Sequence, residues 1–298
     1  MAYRFKRRET VADGFRRIVQ EEFLGLTTAL ANAAGASIHE ARKRCKMLRA
    51  LLQLLDGSID GTPARRADEA VGKIAQTLAP VRDAEVRRAT LAALLAKAGP
   101  QATKRFAHVQ AMLDVQASEA RHLRLTAADF KDVGALADSA QRRLLALPLA
   151  KSGWKALGPG LRRTYRRGRK AFTSALNDPS PEFRHRWRKR VKPLWYHLCL
   201  LQGSQPKKIT ALVEKVGHLA NLLGDENDLA VLRQHLEAHG KRIRARIEFD
   251  GITTLIDHRR TELRRKADRL GRKIYDEKPV DFTGHLERAW RGWRAKGK

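Results

Sequence analysis

The sequence is short of the features that mark several large function classes. It has only two cysteines, Cys45 and Cys199, in 298 residues. Both stand among apolar neighbours at helical spacing. That excludes a disulfide framework and a thiolate zinc site, and both thiols read as small core hydrophobes. Aromatic residues make up 6% of the chain, too few for the stacking platforms that hold single-stranded nucleic acid. No apolar run reaches the roughly 18 residues that suggest a bilayer span. The opening stretch MAYRFKRRETVADGFRRIVQEEF is charged and amphipathic, unlike a signal peptide, so the expectation is a cytoplasmic protein. No Gly-rich phosphate loop and no RNA-recognition signature occurs.

Acid is the other shortage. Aspartate and glutamate number 32 against 61 lysines and arginines, a formal net charge of +29. Such an excess repels itself in a compact fold unless a polyanion supplies counter-charge. The candidate partners are nucleic acid, an anionic membrane surface and a phosphate polymer. Apolar residues, at 43%, are enough for a core.

Ala, Leu, Arg, Lys and Glu dominate at a helical period, and alternating β-branched runs are almost absent. Helices are expected over about 10–33, 38–55, 63–78, 82–98, 103–123, 129–145, 161–176, 183–201, 207–223, 228–239, 243–275 and 285–293. The Gly- and Pro-bearing stretch 151–160 reads as a connector, which divides the chain into halves at 1–150 and 151–298.

The halves repeat each other. His39, Arg42 and Lys46 recur as His185, Arg188 and Lys192, each pair 146 positions apart. Downstream, Leu78-Ala-Pro-Val-Arg82-Asp83 recurs as Leu223-Gly-Asp-Glu-Asn227-Asp228 at nearly the same offset. At about 100° per residue, His39, Arg42, Lys46 and Arg49 fall within about 80° of one another, with Lys43 beside them, and form a ridge roughly 15 Å long. Ile38, Ala41, Cys45, Leu48, Leu52 and Leu55 make the opposite, greasy face. In the second copy His185, Arg188, Lys189 and Lys192 share one face, and Phe183, Trp187, Val191, Leu194, Leu198 and Leu201 the other.

These ridges lack acids. None occurs between Glu40 and Asp56, nor between Glu182 and Glu214. A solvated helix normally mixes signs, because acid–base pairs four apart stabilise it and like pairs do the reverse. An external anion would recover that loss; acids from other helices would do so too. A third basic run, Arg162 to Lys170, lies in an acid-free window from Ser139 to Asn177 and offers Arg163, Arg166, Arg167 and Lys170. The guanidinium fork suits two phosphate oxygens. Tyr165 reads either as a hydroxyl donor or as core.

A phosphate-processing enzyme would need carboxylates to hold a metal. Asp83 and Asp228 read instead as helix N-caps or partners of buried arginines. His39 and His185 sit in cationic ridges that repel a metal, so both read as donors to phosphate or as structural hydrogen-bonders. No metal, no cofactor and no catalysis are expected. Trp290 and Trp293, amid terminal arginines, read as a contact tail or as packing.

Together these motifs resemble the CHAD family, named for a conserved histidine α-helical domain, over nearly the whole chain. The resemblance rests on the two His-Arg-Lys ridges, the Arg82-Asp83 and Gly224-Asp225-…-Asp228 segments and the Tyr165–Arg169 run. It implies an all-α fold of two four-helix bundles related by a pseudo-two-fold axis. It also implies a basic pore or groove that binds inorganic polyphosphate, with location at polyphosphate granules in some members. Carried over by position, His39, Arg42, Lys46, Arg49, Arg163, Arg166, Arg167, His185, Arg188 and Lys192 would line the site. Met47 and Pro193 stand where the family often has a base, Trp195 stands opposite Arg49, and Ala79-Pro80 replaces a Gly-containing turn. Nucleic acid is the alternative ligand, because charge alone serves it equally.

Overall fold

The computed structural model describes residues 3–31, 35–59, 61–122, 127–204, 206–238 and 246–296. Every regular element among them is a helix. In chain order these are α1 (Val11–Ala31), α2 (Gly35–Leu54), α3 (Gly61–Thr77), α4 (Ala79–Ala98), α5 (Pro100–Arg105), α6 (Ala107–His122), α7 (Ala127–Leu145), α8 (Gly153–Asn177), α9 (Pro181–Leu201), α10 (Pro206–Ala238), α11 (Arg246–Ile274) and α12 (Pro279–Ala295).

The amphipathic periods give these elements their sides. In α1, Phe15, Ile18, Val19, Phe23 and Leu26 are all buried, and Thr10 Oγ1 caps the helix by accepting from the Asp13 amide at 3.1 Å. α1, α2, α3 and α7 pack together, as do α8 with α9 and α12, and α10 with α9 and α11. α2 bridges the groups by touching both α8 and α9, and α4 lies on α10.

Two expectations need correction. The 151–160 stretch is no connector: α8 starts at Gly153 and runs straight through Pro159 and Gly160. Pro159 is exposed, while Gly160 lies directly against the α2 backbone. The segments expected at 207–223 and 228–239 are one helix, α10. A helical glycine costs only about 1 kcal/mol, and the burial of Leu222, Leu223, Leu229 and Leu232 around Gly224 outweighs it. The corresponding stretch of the first half is broken at Leu78, between α3 and α4, and Pro80 stands in the first turn of α4. The terminal tryptophans are packing residues: Trp290 and Trp293 are buried, and Phe5 meets Trp290 edge-on at 5.9 Å. Tyr165 is core as well, donating to the Ile274 carbonyl at 2.8 Å and stacking on Phe282 at 3.9 Å.

α2 and α9 lie side by side and point the same way. Tyr196 packs with Met47 and Ala50, and one residue further on His197 Nε2 donates to the Ala50 carbonyl at 2.8 Å. Earlier along both helices, Lys192 comes within electrostatic reach of Lys46 and Lys43. The spatial register between the helices thus matches the 146-residue offset of the repeat.

His197 is fully buried, and burial pushes its pKa down to about 4, a shift the Ala50 bond only partly opposes. The ring is therefore neutral in the fold but protonates near its ordinary pKa once the chain opens. Its stabilising contribution is complete above about pH 6.5 and is lost as pH falls toward 4. Between pH 7 and 5 the loss should be about 2 kcal/mol. Urea unfolding across that range checks it, and His197→Asn should flatten the slope.

Candidate polyanion-binding site

Much of the α2 ridge is already engaged within the fold. His39 and Lys46 are exposed. Arg42, half-buried, donates through Nη1 to the Ala75 carbonyl of α3. Lys43 pairs with Glu40 at 3.2 Å. Arg49 is held by both oxygens of Asp68, each at 2.8 Å, so its fork is already filled by an acid from α3. Arg44, beside the ridge, reaches Glu40 at 2.8 Å and the buried Glu22 of α1 at 3.0 Å. Acids from other helices thus neutralise the C-terminal end of this ridge and its flank.

The α9 ridge differs. Arg188, Lys189 and Lys192 form no ion pair among the described residues. Arg188 lies across α10 at Gly224, and its buried Nε has no hydrogen-bond partner. Lys189 is exposed. Lys192 is half-buried with its Nζ 3.9 Å from the centre of the Trp195 ring and 5.4 Å from that of Tyr196. The indole that stands opposite Arg49 in the repeat is therefore a shelf for the neighbouring ammonium. Burial, and then the charges of Lys46, Arg188 and Lys43, lower the Lys192 pKa to about 8. The two ridges therefore meet at Lys192: Lys43 and Lys46 of α2 and Arg188 of α9 all lie within electrostatic reach of it.

His185 closes one end of this cluster. Its Nδ1 donates to Asn227 Oδ1 of α10 at 2.6 Å. Burial lowers its pKa; the Asn227 bond opposes the shift, while Lys189 and Arg188 add to it. The neutral ring spends its one proton on Asn227, so Nε2 donates to an oxyanion only after taking a second proton. Asn227 occupies the place of Arg82 in the repeat, which is why sequence reading did not assign it this task.

The α8 cations look elsewhere. Arg163 pairs with Asp56 at 3.0 Å, at the end of α2 away from the cluster. Arg162, Arg163, Arg166 and Lys155 line a groove with Trp154 and Glu287, beside α12. Arg166, Arg167 and Lys170 are exposed and unpaired among the described residues.

The acids do not act as N-caps. Asp83 is exposed within α4, whose N-cap is Leu78, and Asp228 lies deep inside α10. Glu226 instead partners the buried Arg260 and the half-buried Arg264. Its side chain is 3% exposed and meets Arg260 at 3.1 Å and Arg264 at 2.8 Å. Among the described residues no three histidines, cysteines or acids are placed to hold a metal ion.

With this geometry in hand, comparison with known proteins identifies the family. The profile of the CHAD domain matches residues 18–237. The chain belongs to the CHAD family. Its all-α CHAD fold is shared with the crystal structure of the CHAD domain from the plant Ricinus communis. That structure is 16% identical, with a TM-score of 0.60, over 97% of this chain and 95% of the other. PptA from Streptomyces chartreusis is similar at 15% identity and a TM-score of 0.57, over 90% of this chain and 98% of that one. No curated protein matches. The CHAD match takes in both ridges, the α8 run and Asn227. No helix among the described residues is long and apolar enough to cross a membrane.

Proposed function

We propose that this CHAD protein binds inorganic polyphosphate without turning it over, and that the cluster of Lys46, Arg188, Lys189 and Lys192 is the centre of the site. One observation carries the reading: two parallel helices bring their cations face to face, with Lys192 held on Trp195 at the junction. Crowded like charges cost free energy, and a linear polymer of phosphates between the ridges would lower that cost. His39 and Arg42 flank the same line on α2, and His185 on α9. Arg163, Arg166, Arg167 and Lys170 would take further phosphates on α8. Arg49 would contribute less, because Asp68 already fills its fork.

A base-free ligand fits the side chains on offer. The ridge supplies ammonium groups and guanidinium forks, which recognise phosphate, and no element that reads base edges. On this reading the protein is cytoplasmic and gathers at polyphosphate granules. It has no catalytic residue, cofactor or metal of its own.

Competition at physiological salt tests the proposal. Long-chain polyphosphate is expected to displace duplex DNA at equal phosphate concentration, and the same mixture with magnesium should release no orthophosphate. DNA displacing polyphosphate would favour the nucleic-acid reading. The slope of log K against log salt would count the phosphates neutralised.

A further inference from the structure

Lys192 stands out from the other cations by what it rests on. Its Nζ lies over Trp195 at 3.9 Å and near Tyr196 at 5.4 Å, in a half-buried position. The groups that act on it come from both helices: Lys46 and Lys43 from α2, Arg188 from α9, and the Cys199 thiol about two turns further along α9. Glu40 is committed to Lys43 and Arg44, and Glu22 to Arg44.

We propose that Lys192 is an acylation site, modified by small anionic acyl donors of the acyl-phosphate class, and that the modification removes the central charge of the cluster. Two requirements for such chemistry meet here. An amine attacks only as its free base, and burial beside other cations is a recognised way to make a lysine nucleophilic near neutral pH. With its pKa lowered to about 8, roughly a quarter of Lys192 is unprotonated at pH 7.5, against about one part in a thousand for an ordinary lysine. The second requirement is a local excess of the reagent. Lys46, Lys43 and Arg188 draw a dianionic donor to the amine and stabilise the phosphate that leaves.

The step balances without a further reactant. The Nζ lone pair forms a bond to the acyl carbon, and the bond from that carbon to the phosphate oxygen breaks. Phosphate departs with the bonding electrons, and the nitrogen loses a proton to solvent. The amide that remains has neither charge nor cation–π attraction for Trp195.

The chemistry stands apart from the polyphosphate reading; only its consequence for binding rests on that reading. The experiment therefore uses the full chain with acetyl phosphate and no polymer. Peptide mass spectrometry follows the acetylation rate of every lysine at pH 7.5. Lys192 is expected to react on the order of tenfold faster than the median lysine, since a weaker base is also a weaker nucleophile and part of the gain is lost. Its rate should level off above about pH 8, where ordinary lysines continue to accelerate. Lys46→Gln should slow Lys192, and an uncharged acyl donor should show less of that dependence. A rate at or below the median in the wild-type chain, or a Lys192 rate indifferent to Lys46→Gln with acetyl phosphate, overturns the proposal. Polyphosphate binding by the acetylated protein is then measured separately, so that failure there counts against the binding reading alone.

Discussion

Replacing Lys46 and Lys192 together by glutamate should weaken long-chain polyphosphate binding roughly a thousandfold at physiological salt. The two positions face each other across the α2–α9 junction. Each is expected to contribute a charge-assisted contact of about 2 kcal/mol, so losing both gives about 4 kcal/mol, or about three decades in Kd. The salt slope should fall by about two units at the same time. Lys192 is half-buried on Trp195, so a companion variant guards against simple damage to the fold. Lys46→Glu with Lys189→Glu changes only exposed positions and should show a large loss with an unchanged unfolding midpoint. Full affinity in both variants, each shown to be folded, would remove this cluster from the binding site.

Gly160→Ala should cost about 4 kcal/mol of stability, unusual for the gain of one methyl group. A β-carbon at this position would lie 2.0 Å from the Leu54 carbonyl oxygen, 2.6 Å from its carbon and 2.8 Å from the Gln53 carbonyl oxygen. These are backbone atoms of α2, so no side chain can swing away. α8 must instead move off α2 and open the contact between the halves. Gly292→Ala in α12 is the control. Nothing lies within 4 Å of its β-carbon position, so the helical preference of alanine should leave stability unchanged or raised by about 0.5 kcal/mol. Urea unfolding of both variants makes the comparison, and similar midpoints would mean that the α2–α8 contact is not tightly held.

What could be read from the chain beforehand follows from how far each signal reaches. The faces of α2 and α9 were legible, because helical period alone sorts Cys45 and Leu48 from Lys46, and Trp187 and Val191 from Arg188. Every expected core residue of α2 is buried. The course of α8 and α10 was not. Gly158, Pro159, Gly160 and Gly224 are local breakers, and the sequence does not disclose the tertiary burial that overrides them. The acid shortage within each ridge was also correctly read, yet it said nothing of acids folded in from elsewhere. Asp68 on α3 fills the fork of Arg49, and Glu22 on α1 meets Arg44. Those partners are set by packing between helices, so the unmatched charge lies mostly on α9 and not equally on both copies. Trp195 looked like a gap in the second ridge. Its role as a shelf for Lys192 became visible only once the side chains were placed.

The parallel run of α2 beside α9 has a consequence for what kind of chain can lie there. Helices pointing the same way run past a bound strand in a single direction, with the His39 and His185 ends together and the Lys46 and Lys192 ends together. A strand with two different ends must choose which way to lie. A strand whose ends are chemically identical has no such choice to make, and can reverse without changing its contacts.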